Sequence, residues 1–176
     1  FGGPFVGLFA CKQEYIRQMP GRIVGKTVDT KDRTAYVLTL QTREQHIRRE
    51  RATSNICTAV ALIALMSTVY MSSNGKRGMR HVAELCYHKA HYAATLIDAL
   101  PGYSVKTDET FFQEFVVECP LPPSELNEKL LAYKIIGGLD ITAQVPNGML
   151  VCATEVNTRE EIERLAGALA EIGTGK

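Results

Sequence analysis

The chain has 176 residues, 45% of them hydrophobic and 22% charged, with a formal charge of +1. That length and composition suit one substantial core or two small ones and argue against disorder. A near-neutral balance gives no field to hold a polyanion, which argues against nucleic acid, and the longest apolar stretch, Ile56 to Met71, is broken by Thr58, Ser67 and Thr68 and is short for a bilayer span.

The first residue is Phe, and Phe1-Gly2-Gly3-Pro4 reads as a turn inside a fold already under way, so a longer polypeptide is expected. Phe5 to Ala10 is a short apolar run that suits a buried strand, and Lys12 to Met19 reads as a brief helix stopped by Pro20-Gly21. Arg22 to Val28 and Thr34 to Leu40 are rich in β-branched and aromatic residues on either side of a polar turn, which predicts a hairpin or paired excursion.

Gln41 to Thr58 follows as a polar loop, and Asn55 is placed to cap a helix over Ile56 to Met71, buried on most sides and ended by Ser73-Asn74-Gly75. From Met79 to Leu100 the three-four spacing of Val82, Leu85, Cys86, Ala90, Ala93, Leu96, Ile97 and Leu100 predicts an amphipathic helix that stops at Pro101-Gly102. Then come a strand over Phe112 to Cys119, a helix from Pro122 to Ile136 ended by Gly137-Gly138, and strands over Leu139 to Gln144 and Met149 to Glu155. Thr158-x-x-Glu161 is a capping-box pattern opening a last amphipathic helix. The reading is thus α/β giving way to α+β, with a boundary near Ser73 to Gly78.

Several groups invite a chemical reading. Arg43, His46, Arg48, Arg49 and Arg51 can hold a phosphate or carboxylate, although a charge run is more often a solvated face or a set of ion pairs. Thr53, Ser54 and Asn55 sit before a helix, where free amides favour a phosphate and where simple capping is the plainer use. Gly2-Gly3-Pro4 can admit an anion to the backbone but suits a tight turn better.

His88-Lys89 suggests a Schiff-base lysine, yet a mid-helix position suits a stem lying on apolar surface with the ammonium in water. Glu84, His88 and His91 share one helix side, but a lone helix rarely closes a metal site, so no metal is expected. Cys11, Cys57, Cys86, Cys119 and Cys152 are odd in number and widely spaced, which reads as reduced, buried thiols of a cytoplasmic protein. No ordered set of nucleophile, base and orienting group can be defended, so no catalytic residue is assigned.

The run from Gln41 to Thr58, QTREQHIRRERATSNICT, resembles the P-protein family of the glycine cleavage system, the glycine dehydrogenases (decarboxylating), in its N-terminal half or subunit 1. Phe1 to Pro4, Met19 to Gly25, Tyr36 to Leu40 and Lys89 to Tyr92 resemble the same family in the same order. The resemblance implies an aspartate-aminotransferase-like (fold type I) pyridoxal-phosphate enzyme, with residues 1–73 ending the large domain and 74–176 forming the small C-terminal domain. It also implies a cytoplasmic heterotetramer in which glycine is decarboxylated on pyridoxal phosphate and the aminomethyl group passes to the lipoyl arm of the H-protein. In that family the Schiff-base lysine belongs to the C-terminal half or subunit 2, so this chain is expected to be silent alone. By position, Thr53 or Ser54 would touch the phosphate of a cofactor held by the partner.

Overall fold

A computed structural model describes residues 6–52, 61–106 and 110–173. The chain divides into two units, Gly2–Ser72 and Ser73–Lys176. Helix α2 (Ala61–Asp98) contributes residues to each, and at Gly75 its backbone leaves helical values (φ 63, ψ −178) before the helix resumes. The expected stop at Ser73-Asn74-Gly75 thus falls at a kink between two helical stretches, in a conformation that glycine adopts freely.

In the first unit, β1 (Ile23–Val28) and β2 (Thr34–Thr39) form an antiparallel hairpin in register from Ile23↔Thr39 to Val28↔Thr34, as predicted. Asp29 closes it. Its Oδ1 accepts the backbone N–H groups of Lys31 (2.8 Å) and Arg33 (3.0 Å), and its Oδ2 accepts Nε of Arg33 at 2.8 Å. The Arg33 amide, then the Arg33 guanidinium, hold this carboxyl below its ordinary pKa.

The expected helix over Lys12 to Met19 is a 3-10 turn at Gln13–Tyr15 and further turns up to Gln18, with Gly21 at φ 80 just beyond Pro20. Residues 6–12 form no strand, contrary to expectation, and Leu8 and Phe9 are 92% and 65% exposed; Phe5 lies outside the described residues. An apolar run becomes a strand only where a neighbour takes its backbone donors and acceptors, and the described sheet of this unit pairs β1 with β2 alone. The arm of α2 in this unit also departs from its expected burial: Leu62, Leu65, Met66 and Val69 are exposed.

The second unit holds the core. Its sheet has the order β3-β4-β6-β5, all pairs antiparallel, from β3 (Ser104–Val105), β4 (Glu114–Glu118), β5 (Leu139–Asp140) and β6 (Gly148–Cys152). Helices α3 (Pro123–Ala132) and α4 (Arg159–Gly173) and the later part of α2 supply its other apolar faces. Ala90, Ala93 and Ile97 of α2 meet Phe115 and Val117 of β4, Leu126 and Leu130 of α3, Met149 of β6 and Leu169 of α4 in one buried cluster. Burying a large apolar side chain contributes about 1.5–3 kcal/mol, so these few residues carry much of the unit's stability.

The capping box forms as read. Thr158 donates its backbone N–H to Glu161 Oε2 (2.8 Å), and Glu161 returns its own N–H to Thr158 Oγ1 (3.2 Å). Strand β3 was not predicted: two residues carry little periodicity, and pairing with Glu118 and Val117 makes the strand. Asp98 anchors it by accepting the Val105 N–H at 2.8 Å.

Helix α3 stops at Ala132, short of the predicted end at Ile136. Lys134 takes the left-handed conformation (φ 58), the Ile135 N–H reaches Leu130 O (3.1 Å) and the Lys134 N–H reaches Leu131 O (2.9 Å). That is a Schellman closure built on lysine instead of glycine. Gly137 and Gly138 have another reason to be glycine: a Cβ would strike the Asn127 side chain at the first and the Leu150 carbonyl at the second.

Candidate functional site

Leu40 leaves β2 in the left-handed region (φ 55) and turns the chain into a string of short helical turns, 3-10 at Gln41–Arg43, α1 at Gln45–Arg48 and 3-10 at Arg49–Arg51. The expected plain loop is therefore compact. Hydrogen bonds link Arg43 N to Leu40 O, Glu44 N to Gln41 O, Arg48 N to Glu44 O and Ala52 N to Arg49 O. Arg49 also has positive φ (53), so one strained residue opens the segment and another lies within it.

Arg43 fastens it. Nη1 donates to the carbonyl of Met19 and Nη2 to that of Gly21, on either side of Pro20, while Nε is buried with no partner. The fork thus joins the stretch around Met19 to Gly25 to the one beginning at Gln41, two of the stretches on which the family resemblance rests. His46 Nδ1 lies 3.5 Å from the Glu44 carboxylate, and Arg48, Arg49 and Arg51 are exposed. Arg43 is committed to backbone carbonyls, and His46 faces a carboxylate. The proposed phosphate contacts Thr53 and Ser54, the cap Asn55, Cys57 and the Gly2-Gly3-Pro4 turn lie outside the described residues.

In the second unit, Lys89 is half-buried, and its ammonium donates to the backbone carbonyls of Glu155 and Asn157 instead of reaching water as expected. The amine closes the loop after β6 onto α2. Every other described lysine is exposed, so none of them stands in the desolvated pocket that a Schiff-base lysine needs. The described residues do not fit a covalent pyridoxal-phosphate site.

Glu84 pairs with Arg80 at 2.8 Å, and that hydrogen bond holds its carboxyl below the ordinary value. His91 stacks on Phe111 (centroids 4.1 Å apart), lies 4.0 Å from Tyr87 and places Nε2 3.1 Å from the Phe111 carbonyl. Two of the three potential metal ligands are thus engaged locally. The thiols divide as well: Cys86 and Cys119 are buried, but Cys11 and Cys152 are exposed, against expectation. Cys152 is the last residue of β6, and the apolar pattern around it does not report its exposure. Burial pushes the Cys119 thiol up to about 11, and burial first, then a hydrogen bond to Glu155, raises that of Cys86.

A cleft of about 240 Å³ opens between the Ile135–Gly138 loop, the end of β6 and α4. Pairing of β5 with β6 begins only at Leu139↔Leu150, so Gly137 and Gly138 part from Cys152 and leave the gap. Lys134 and Arg164 stand at it. Sequence reasoning missed this site because it took the glycine pair for a helix stop.

The mixed helix-and-sheet architecture is that of the aspartate-aminotransferase-like, fold type I class. A solved phosphoserine aminotransferase, SerC, from Cytophaga hutchinsonii shares the fold over 78% of this chain and 44% of its own, with a TM-score of 0.51 at 13% identity. A solved glycine decarboxylase (P-protein) of the glycine cleavage system, in inhibitor-bound form, matches at TM-score 0.88 and 38% identity over 97% of this chain and 39% of its own. Residues 1–169 match the glycine cleavage system P-protein family, and the chain belongs to it. It is 55% identical over 174 residues to a probable glycine dehydrogenase (decarboxylating) subunit 1 of Thermomicrobium roseum, and 52% identical over 172 residues to one of Chlorobium limicola. The matches cover 97% and 98% of this chain, which spans 39% of the length of either relative. No helix among the described residues is long and apolar enough to cross a membrane.

Proposed function

We propose that this chain is part of subunit 1 of a glycine dehydrogenase (aminomethyl-transferring), an enzyme that decarboxylates glycine and passes the aminomethyl group to the lipoylated H-protein. Residues 1–73 finish a large domain and 74–176 form the small C-terminal domain. The enzyme is a cytoplasmic heterotetramer with glycine dehydrogenase subunit 2, and pyridoxal phosphate is held by that partner. The cofactor supplies an electron sink for the carbanion left by decarboxylation. The Schiff-base lysine belongs to that partner, and this chain alone is inactive.

Membership of the family is the observation that carries this reading. The engagement of Lys89 by two backbone carbonyls supports placing the Schiff-base lysine elsewhere. Thr53 and Ser54 are the residues we assign to the phosphate of the partner's cofactor, at the end of the segment that Arg43 fastens.

Replacing both by alanine in the complete enzyme tests the assignment. Loss of a hydrogen bond to a charged group removes about 1.5–3 kcal/mol, so pyridoxal-phosphate affinity, read from cofactor absorbance, should fall about tenfold or more. Unchanged affinity and turnover would favour the second reading, a degenerate half that only supports the catalytic subunit. The purely structural engagement of Arg43 and Lys89 is what speaks for that reading.

A further inference from the structure

We propose that the cleft between the Ile135–Gly138 loop and α4 binds a small aliphatic monocarboxylate, with Lys134 and Arg164 taking the carboxylate and Ile136 and Leu165 covering the chain. The inference is independent of the function proposed above and concerns the second unit alone.

The charges at the cleft are unequal in their commitments. Its carboxylate, Glu161, already accepts the Thr158 N–H of the capping box. Its cations, Lys134 and Arg164, are exposed and their side chains have no hydrogen-bond or ion-pair partner among the described residues, whereas Lys106, Lys129 and Arg159 each pair with a glutamate. An uncommitted guanidinium matches a carboxylate bidentately, and an ammonium adds a point charge.

Backbone conformation adds a second observation. Lys134 occupies the left-handed closing position of α3, where glycine is the usual residue. A lysine there carries strain that glycine would relieve, and it places a cation at the cleft. Strained residues of this kind collect at binding sites.

The apolar part is also in place. Ala93, Met149, Val151, Ile162 and Leu165 line the cleft, and Ile136 at its edge is 91% exposed. At about 240 Å³, the space falls below the roughly 300–1,000 Å³ of drug-sized pockets. A short chain with one anionic end suits these walls and charges better than a bare anion or a large cofactor.

The test is titration calorimetry on the complete protein with hexanoate, hexanamide, hexylamine and inorganic phosphate. Hexanoate should bind about tenfold or more tightly than each of the others, and more weakly as salt rises. Arg164→Gln and Lys134→Asn should each weaken hexanoate severalfold, asparagine being tolerant of the left-handed backbone. Lys134→Gly should weaken binding while raising the melting temperature of the unit, so that its loss of binding cannot be put down to unfolding. Equal binding of hexanamide or phosphate, unchanged affinity in both charge variants, or no hexanoate binding at millimolar concentration would each overturn the proposal.

Discussion

The two units of this chain treat apolar side chains in opposite ways. Among the described residues, twenty hydrophobic ones are buried from Cys86 onward, including Ile97, Leu126, Leu130, Met149 and Leu169, whereas none of Gly2–Ser72 is buried. The first unit is nonetheless rich in Leu, Val, Ile, Met and Tyr, with Leu62 67% and Val24 59% exposed. Its secondary structure stands on the Asp29 turn, the Arg43 fork and the register of a two-stranded hairpin. An isolated hairpin of that kind is marginal in water, so local order and a folded core are separate achievements, and this chain displays one of each.

The largest expected effect lies in the core of the second unit. Phe115→Ala should destabilise it by about 3–5 kcal/mol, measured by chemical denaturation; a change below about 1 kcal/mol would contradict the core described here. Raised pH should come next. Burial pushes Tyr103 up to about 12, and its hydroxyl donates to Leu169 O at 2.9 Å; burial likewise takes Cys119 to about 11. Both folded values lie above the unfolded values of about 10 for tyrosine and 8.5 for cysteine. The stability they contribute is therefore full below about pH 8.5 and lost as pH rises through the folded values. A denaturation midpoint that held steady from pH 8 to 12 would count against this.

Smaller effects sharpen the contrast. Thr158→Ala removes the capping-box acceptor and should cost about 1 kcal/mol; Thr158→Ser should retain most of it. Leu65→Ala in the first unit of this chain should stay within about 0.5 kcal/mol, as expected of an exposed position. A cost there like that of a core leucine would mean that α2 is covered, and the distinction between the units would fail.

What was legible in the sequence follows the same division. The hairpin, the strand at Glu114–Glu118, the helix through Val82 to Ile97 and the capping box were all readable, because each is specified by neighbours a few residues apart. Features settled by distant partners were not. The run after Phe5 has strand composition without a strand to pair with among the described residues, and Lys89 looks like a surface lysine until Glu155 and Asn157 arrive from the far end of the chain. Gly137-Gly138 has the form of a helix stop, but the Asn127 side chain at the first glycine and the Leu150 carbonyl at the second leave no room for a Cβ. The segment after Gln41 carried the family in its wording, whereas the fork from Arg43 to Met19 and Gly21 could be found only in three dimensions.

Strand lengths carry a consequence for aggregation. Both edges of the four-stranded sheet, β3 and β5, are two residues long, so the second unit offers a stray strand almost no ladder to extend. The hairpin of the first unit has six-residue strands, and their outer edges have no strand partner among the described residues. Left uncovered, that hairpin is where one copy of this chain would template another.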